Sequence, residues 1–259
     1  MSTSIAPADH LAWIRARDLT VLGEEGLAEL ASTTWLGSEA REIPGLPGRW
    51  WAEDGSVHGR WPGAGNPDPS IVPDSGVPAS SDAQAPRTVT LSPGDTATVD
   101  GIRVAAFARD GEVAVRAFEP GRAARLGLTG IDRHPYDPSL AVEARVERTP
   151  SEPTPTESVD GHRSVTRYDV TLRFEVGGTA LTLLAHDQGE TFFAAFSDAA
   201  HPGKFRMLRI PATSPTVVDL NRAYLPPSTF SPHYVCVRPP AANRWDAPVP
   251  AGERAVVTE

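Results

Sequence analysis

The chain has 259 residues, of which 40% are hydrophobic and 22% are charged, and its formal net charge is −9. This composition is typical of a globular protein with enough apolar residues for a sizeable core. The acidic balance argues against a nucleic-acid partner, and no apolar run approaches the roughly 18 residues of a membrane span. A single cysteine excludes an internal disulfide framework, and no secretory leader is visible, so we expect a cytoplasmic location. We interpret the sole lysine, Lys204, as the codon bias of a GC-rich bacterial genome.

Residues 6–31 are predicted to be helical. Asp9 can cap the first turn, and leucine and isoleucine residues then recur at helical spacing. Gly23 is expected to break the helix, and residues 26–31 are predicted to form a second short helix. We expect both helices to form an arm that packs across a sheet.

A β-hairpin is predicted for residues 48–61, with Asp54 and Gly55 in its turn. Its three tryptophans are more typical of a covered core edge than of a ligand cleft. Residues 62–86 are rich in proline, glycine and serine, which predicts a flexible linker or a loop insertion.

From residue 87 onward the pattern favours strands. Residues 167–176 alternate strictly between apolar and polar side chains, as in a sheet with one buried face. Short turns join successive strands, so neighbouring strands are antiparallel. The predicted fold is all-β: an antiparallel meander that forms a barrel or a sandwich, with an N-terminal helical arm and a Pro-rich C-terminal segment closing one end. The predicted organisation is an arm and hairpin (1–61), a linker (62–86) and a main β domain (87–259).

The Pro-rich segment 217–253 is where the regular strand pattern ends. Each proline removes a backbone donor, so side-chain hydrogen bonds and packing must hold the segment. Such a segment suits either a rigid lid or a preorganised site.

This segment resembles the C-terminal signature of an uncharacterised bacterial family of unknown function. The signature runs D-F-N-x-A-Y-N-P-P-C-x-F, followed by a second Cys-Pro, P-P-x-N and A-G-E. Ser228 and Leu225 depart from it, since cysteine and asparagine are usual there, so a cysteine pair is not essential here. A weaker resemblance extends upstream, through residues 126–146 and Phe-Ser-Asp at 196–198, and the family pattern that follows Phe-Ser-Asp is largely lost here. The residues on the signature are Asp219, Asn221, Arg222, Ala223, Tyr224, Pro226, Pro227, Phe230, Cys236, Pro239, Pro240, Asn243, Ala251, Gly252 and Glu253.

Four side chains of the segment are candidates for acid–base catalysis. Arg222 can clamp an anion, Asp219 or Glu253 can act as a base, and Tyr224 can donate a hydrogen bond. The alternative is structural: Arg222 pairs with a carboxylate to stabilise irregular backbone. The candidate ligand-binding residues are Asn221, Asn243 and Trp245.

Other chemistry finds less support in the sequence. Cys236 and His233 lie three residues apart, which places them on opposite faces of an extended segment. The histidines show no metal-ligand spacing, and no glycine loop fits a phosphate, so we expect neither a metal nor a cofactor. The predicted function is binding of a small organic molecule at the barrel mouth, with cofactor-independent acid–base catalysis left open. The alternative is a carrier or an interaction protein in which the signature is a structural clasp. The oligomeric state stays open.

Overall fold

The computed structural model describes residues 6–62 and 86–259, and strands account for 47% of it. The chain forms two compact units, one comprising Glu24–Ala123 and the other comprising Met1–Gly23 with Ala124–Glu259. This division differs from the predicted boundaries at 61 and 87, because strand Arg87–Leu91 pairs with strand Ser56–Trp61 of the tryptophan hairpin. Apart from its two end residues, the predicted linker 62–86 lies outside the described residues.

The described part of unit Glu24–Ala123 contains two antiparallel four-stranded sheets. The strands are β1 (Leu30–Leu36), β2 (Arg41–Glu42), β3 (Arg49–Glu53), β4 (Ser56–Trp61), β5 (Arg87–Leu91), β6 (Thr96–Val99), β7 (Ile102–Arg109) and β8 (Glu112–Phe118). One sheet has the order β2-β3-β4-β5 and the other has the order β1-β8-β7-β6. Residues from both sheets share one apolar core, in which Trp50 and Trp61 are buried and stacked with ring centroids 6.3 Å apart.

The predicted hairpin is confirmed, with Asp54 and Gly55 at φ values of 50° and 73° in its turn. The predicted second helix at 26–31 is wrong. Only a 3-10 turn, Leu27–Glu29, forms there, and β1 begins at Leu30. Leu30 is fully buried and pairs with Phe118, so tertiary packing overrides the helix propensity of this leucine- and alanine-rich stretch.

The other unit begins with helix α1, Ala8–Leu22. Its N-cap is Pro7 rather than the predicted Asp9, which lies in the first turn. A four-residue helix α2, Arg122–Arg125, joins the two units along the chain. The strands that follow are β9 (Leu128–Arg133), β10 (Ala141–Glu147), β11 (Thr154–Glu157), β12 (Arg163–Thr166), β13 (Val170–Val176), β14 (Thr179–Asp187), β15 (Thr191–Phe196), β16 (Arg206–Pro211), β17 (Thr216–Asp219) and β18 (Glu253–Thr258).

Six of these strands form a nearly closed, barrel-like antiparallel sheet, so the all-β prediction is confirmed. The order is β16-β15-β14-β13-β10-β17, and the two end strands lie next to each other. Val170, Leu172 and Phe174 of β13 are buried, as their alternation predicts. Together with the aliphatic and aromatic side chains of the other strands, they pack the barrel core. Throughout the described ranges, no helix has the length and apolar character needed to cross a membrane.

Candidate functional site

Glu253, at the start of β18, is a fully buried carboxylate that joins three parts of its unit. One oxygen accepts hydrogen bonds from Arg17 of α1 and Arg133 of β9, both at 3.1 Å. The other accepts from the backbone N–H of Leu225 at 2.8 Å. Arg17 also donates to the Leu225 carbonyl at 2.8 Å, and Arg133 donates to Asp18 at 2.6 Å. We call these five residues the Glu253 clasp, because they fasten the helix, β9 and the Pro-rich segment together.

Gly252 allows the backbone before Glu253 to lie close to the backbone of Ala223. Its φ is +69°, and a Cβ added there would lie 2.2 Å from the carbonyl oxygen of Ala223. That same carbonyl accepts a 2.8 Å hydrogen bond from the Glu253 N–H. Only glycine permits this close approach of two backbone segments without displacing one of them.

The Asp219–Arg222 pair meets α1 at a different place from the Glu253 clasp. Their side chains form a 3.2 Å ion pair without hydrogen-bond geometry, and Arg222 also donates to Asp9 in the first turn of the helix. Asp9 and Arg17 are eight residues apart, which is about 12 Å along a helix axis. The structure therefore divides the four predicted catalytic residues. Arg222, which pairs with Asp219, contacts the start of the helix, while Glu253 and Tyr224 contact Arg17.

Tyr224 packs its ring against the Arg17 guanidinium, with 4.7 Å between the guanidinium carbon and the ring centroid. Burial raises the pKa of its hydroxyl. A tyrosine with a raised pKa stays protonated at neutral pH, so it can donate a hydrogen bond but is a poor base.

The three predicted ligand-binding residues bond to the protein's own backbone. The amide of Asn221 exchanges two 2.9 Å hydrogen bonds with Asp137. Asn243 is fully buried and uses its oxygen and both amide hydrogens on β14 and β15 backbone groups. Trp245 donates to the Thr182 carbonyl at 2.9 Å and stacks in the barrel core. This geometry favours a structural role for all three.

A second buried carboxylate, Asp198, follows β15. One oxygen accepts from the N–H groups of Ala200 and Val249, at 2.9 and 3.1 Å, and from the His201 ring at 3.1 Å. The other accepts from the fully buried guanidinium of Arg206 at 2.5 Å. The pKa of Asp198 is lowered, because Arg206 and these hydrogen bonds outweigh the opposing effect of burial. Asp198 is therefore ionised and can only accept hydrogen bonds.

Two histidines continue from this carboxylate to the surface. The Nε2 atoms of His201, which is buried, and His134, which is half-buried, are 3.0 Å apart, and the rings meet edge to face. Because Asp198 is ionised, His201 must carry its proton on Nδ1 to donate to it. In its neutral form His201 then accepts at Nε2, so His134 must donate from its own Nε2. We call Asp198, His201 and His134 the Asp–His–His line.

The chemistry of the line depends on His134 Nδ1. With its proton on Nε2, neutral His134 has an unprotonated Nδ1, and no described residue donates a hydrogen bond to that atom. The pKa values of both histidines are lowered, first by burial. Arg206 lowers that of His201 further, and His201 and Arg254 lower that of His134. Both rings are therefore neutral at pH 7, and Nδ1 of His134 is a base that can accept a proton.

β9 and β18 separate this line from the Glu253 clasp. Successive residues of an extended chain point to opposite faces, so Arg133 reaches Glu253 while Asp132 and His134 lie on the other face. There Asp132 pairs with Arg254 at 2.5 Å, and the N–H of His134 donates to the Gly252 carbonyl at 2.9 Å. One two-stranded ladder thus carries a different ionic cluster on each face.

Sequence reasoning missed the Asp–His–His line. In the sequence, Phe-Ser-Asp at 196–198 and the stretch that contains His134 carry only a family resemblance, and His134 and His201 show no metal-ligand spacing. His134 and His201 are 67 residues apart in the chain. The spacing of Asp198, His201 and Arg206 around a turn is the local signal from which part of the site was predictable.

Cavities also lie elsewhere among the described residues. One of about 350 Å³ opens between β10 and the β16–β17 turn and is lined by Glu143, Arg148 and Thr213 among others. Another, of about 1180 Å³, lies in unit Glu24–Ala123 and is bordered by Trp51 and Trp61. It is also bordered by Pro62 and Pro86, where the described residues stop and resume, so it carries no assignment.

The sequence of the unit that contains both clusters is similar to that of a known protein family. Residues 127–254 match the family described as "Protein of unknown function (DUF1684)". This match supports the predicted resemblance to an uncharacterised family, while the C-terminal signature itself stays a prediction. The matched region contains the whole Asp–His–His line and, from the Glu253 clasp, Arg133, Leu225 and Glu253.

The comparison with curated proteins finds no match. Among solved structures, the chain is similar to the solution NMR structure of an uncharacterized protein from Haloarcula marismortui. The two are 26% identical over 49% of this chain and 76% of that chain, with a TM-score of 0.37.

Proposed function

We propose that the protein is a cofactor-independent acid–base enzyme that acts on a small organic molecule, with His134 as the group that exchanges the proton. The observation that carries this proposal is the Asp–His–His line, which connects a buried, ionised carboxylate to a half-buried neutral imidazole. The same logic operates in catalytic triads, where a carboxylate orients a histidine and stabilises its protonated form.

The proton transfer needs only groups of this chain. His134 Nδ1 takes a proton from the substrate, and the Nε2 proton of His134 passes to Nε2 of His201. His134 is then neutral again, with its proton on Nδ1, and His201 is an imidazolium held by Asp198. The return of both protons completes the cycle. His201 and Asp198 act through His134 and are positioning residues.

The predicted catalytic set of Asp219, Arg222, Tyr224 and Glu253 stays a prediction, and the geometry favours the alternative reading of the signature as a structural clasp. Glu253 already accepts from two guanidiniums and one backbone N–H and is fully buried. A substrate could reach it only if these bonds broke. We propose that the protein is a bacterial, cytoplasmic small-molecule enzyme and that its signature segment supports the fold.

Hydrolysis of p-nitrophenyl acetate tests the proposal, because an imidazole that can pass its proton on to a second histidine is expected to promote release of p-nitrophenolate faster than an isolated one. We expect His134→Gln to lower the protein-dependent rate by roughly a hundredfold. His201→Gln should lower it less and shift its pH profile, since His134 would lose its partner. Because the pKa of His134 is lowered, the parent should keep its full rate below the ordinary histidine pKa of about 6.5.

His186→Gln is the matched control. His186 also faces a carboxylate, with its Nδ1 3.7 Å from Asp169, but it is not joined to a second histidine. Its replacement should leave the rate unchanged. Equal rates for the parent, His134→Gln and His186→Gln would overturn the proposal.

A further inference from the structure

The only lysine of the chain lies beside the Asp–His–His line. Lys204 is three residues after His201 in the same turn, and its N–H donates to the His201 carbonyl at 3.1 Å. Its ammonium is exposed and donates to the backbone carbonyl of Arg254 at 3.0 Å. The other 23 of the 24 lysines and arginines are all arginines. The one flexible, compact cation of the protein therefore lies at the exposed end of the Asp–His–His line, which we call the rim.

The charges around the histidines leave this ammonium uncompensated. Asp198 is paired with Arg206, and Asp132 is paired with Arg254, while His134 and His201 are neutral. In the parts of the chain that the structure describes, no carboxylate forms an ion pair with Lys204. Two of its three N–H donors remain available beyond the bond to the Arg254 carbonyl. The rim thus carries one net positive charge in a protein whose overall charge is −9.

We propose that the substrate of this site is a small organic carboxylate, which the Lys204 ammonium holds while its reacting proton faces Nδ1 of His134. The proposal rests on the proposed function and adds the class of substrate to it. Lys204 Nζ reaches the Arg254 carbonyl, and the N–H of His134 bonds two residues earlier on the same segment, to Gly252. The carbonyls that Lys204 and His134 bind are therefore two residues apart, which is about 7 Å of extended chain.

A carboxylate fits this rim better than a phosphate. One uncompensated ammonium balances a single negative charge, whereas a phosphate monoester carries close to two at pH 7. Phosphate sites in proteins also use several backbone N–H groups from a glycine-rich loop or a long helix N-terminus. In the loop that carries Lys204, the N–H groups of Ala200, His201 and Lys204 already donate to Asp198 or to a loop carbonyl, and that of Ala199 donates to the Ala247 carbonyl.

The experiment is an NMR titration of the full chain with sodium acetate, following the imidazole signals of His134 and His201. Acetamide is the neutral matched probe, and sodium chloride keeps the ionic strength constant. We expect acetate to shift the His134 signals and raise its pKa, because a bound anion favours the imidazolium. Acetamide should have no effect. Lys204→Met should weaken the acetate response at least tenfold, and Lys204→Arg should retain it.

Three outcomes would overturn the inference: no response to acetate, an undiminished response in Lys204→Met, or a stronger response to inorganic phosphate at equal ionic strength. The same spectra without acetate report which nitrogen of each ring carries the proton. If those tautomers are as assigned and acetate has no effect, the carboxylate inference fails and the Asp–His–His line stands. If the tautomers differ, the proposed function fails first.

Discussion

Glu253 and Asp198 are both fully buried carboxylates held by arginine, yet their surroundings differ in one respect. Every described partner of Glu253 is a guanidinium or a backbone N–H, so its hydrogen bonds end within the protein. Asp198 has the same kinds of partner and, in addition, a histidine that leads through a second histidine to the surface. The comparison indicates that burial and ion pairing alone do not mark a site. A candidate site is marked instead by titratable side chains that connect the buried carboxylate to the surface.

The two carboxylates differ in their surroundings because successive side chains along β9 point to opposite faces of the ladder. Arg133 and His134 are neighbours in sequence, and the extended backbone sends one to each face of the ladder. One face is fastened to α1 through Arg17 and Asp18. The other face carries the histidine line, so the clasp can fix the strands without occupying the proposed site.

The largest expected effect is on stability, in Glu253→Gln. This substitution leaves Arg17 buried without its anionic partner and leaves Arg133 paired with Asp18 alone. Removing one member of a buried ion pair costs roughly 3–5 kcal/mol. Urea unfolding of the full chain measures the loss. Esterase activity of the folded variant should be retained, because the histidine line lies on the opposite face of the ladder.

Glu147→Gln is the control for this prediction. Glu147 pairs with Arg173 on a solvent-accessible part of the barrel, where such pairs contribute about 0–1 kcal/mol. If Glu253→Gln and Glu147→Gln lowered the free energy of unfolding by the same amount, Glu253 would not be a clasp.

A smaller effect is expected for Arg222→Ala. Its guanidinium is 30% exposed, and its partners Asp219 and Asp9 are 22% and 72% exposed, so solvent screens both ion pairs. We expect a loss of about 0–1 kcal/mol in the same unfolding assay. A loss of 3 kcal/mol or more would mean that the clasp extends to the start of α1 and that the two clusters on that helix act together.

The smallest effect is a pH dependence of stability. The pKa values of His10, His134 and His201 are all lowered in the folded protein, so the unfolded chain binds protons at a higher pH than the folded one. The free energy of unfolding should therefore be highest above the ordinary histidine pKa of about 6.5 and fall as the pH decreases below it. His134→Gln should reduce this slope, because it removes one of the three histidines whose pKa is lowered. Urea unfolding between about pH 5.5 and 7.5 provides the comparison.

Much of the fold was predictable because its signals are local. The alternation of Val170, Leu172 and Phe174 and the turn at Asp54 and Gly55 each lie within a few residues, and the structure confirms both. The stretch that ends in Leu30 was predicted as helix because its residues favour helices locally. Its pairing with a strand almost ninety residues later could not be read from that propensity.

The candidate site was less predictable, because its parts meet only in three dimensions. The candidate catalytic and ligand-binding residues were predicted in the Pro-rich segment because polar side chains are frequent there. Those side chains instead satisfy backbone groups that proline-rich segments leave without ladder partners, as Asn243 does. His134 stands alone in its part of the sequence, and only the fold brings it to His201.

The most direct test of the central claim is a long-range ¹H–¹⁵N NMR spectrum of the parent protein at pH 7, which identifies the protonated nitrogen of each histidine ring. Our account predicts that His201 carries its proton on Nδ1 and His134 carries its proton on Nε2, with both rings neutral. His134 protonated on Nδ1, or either ring fully charged at this pH, would contradict the account, because His134 would then have no free base to offer a substrate.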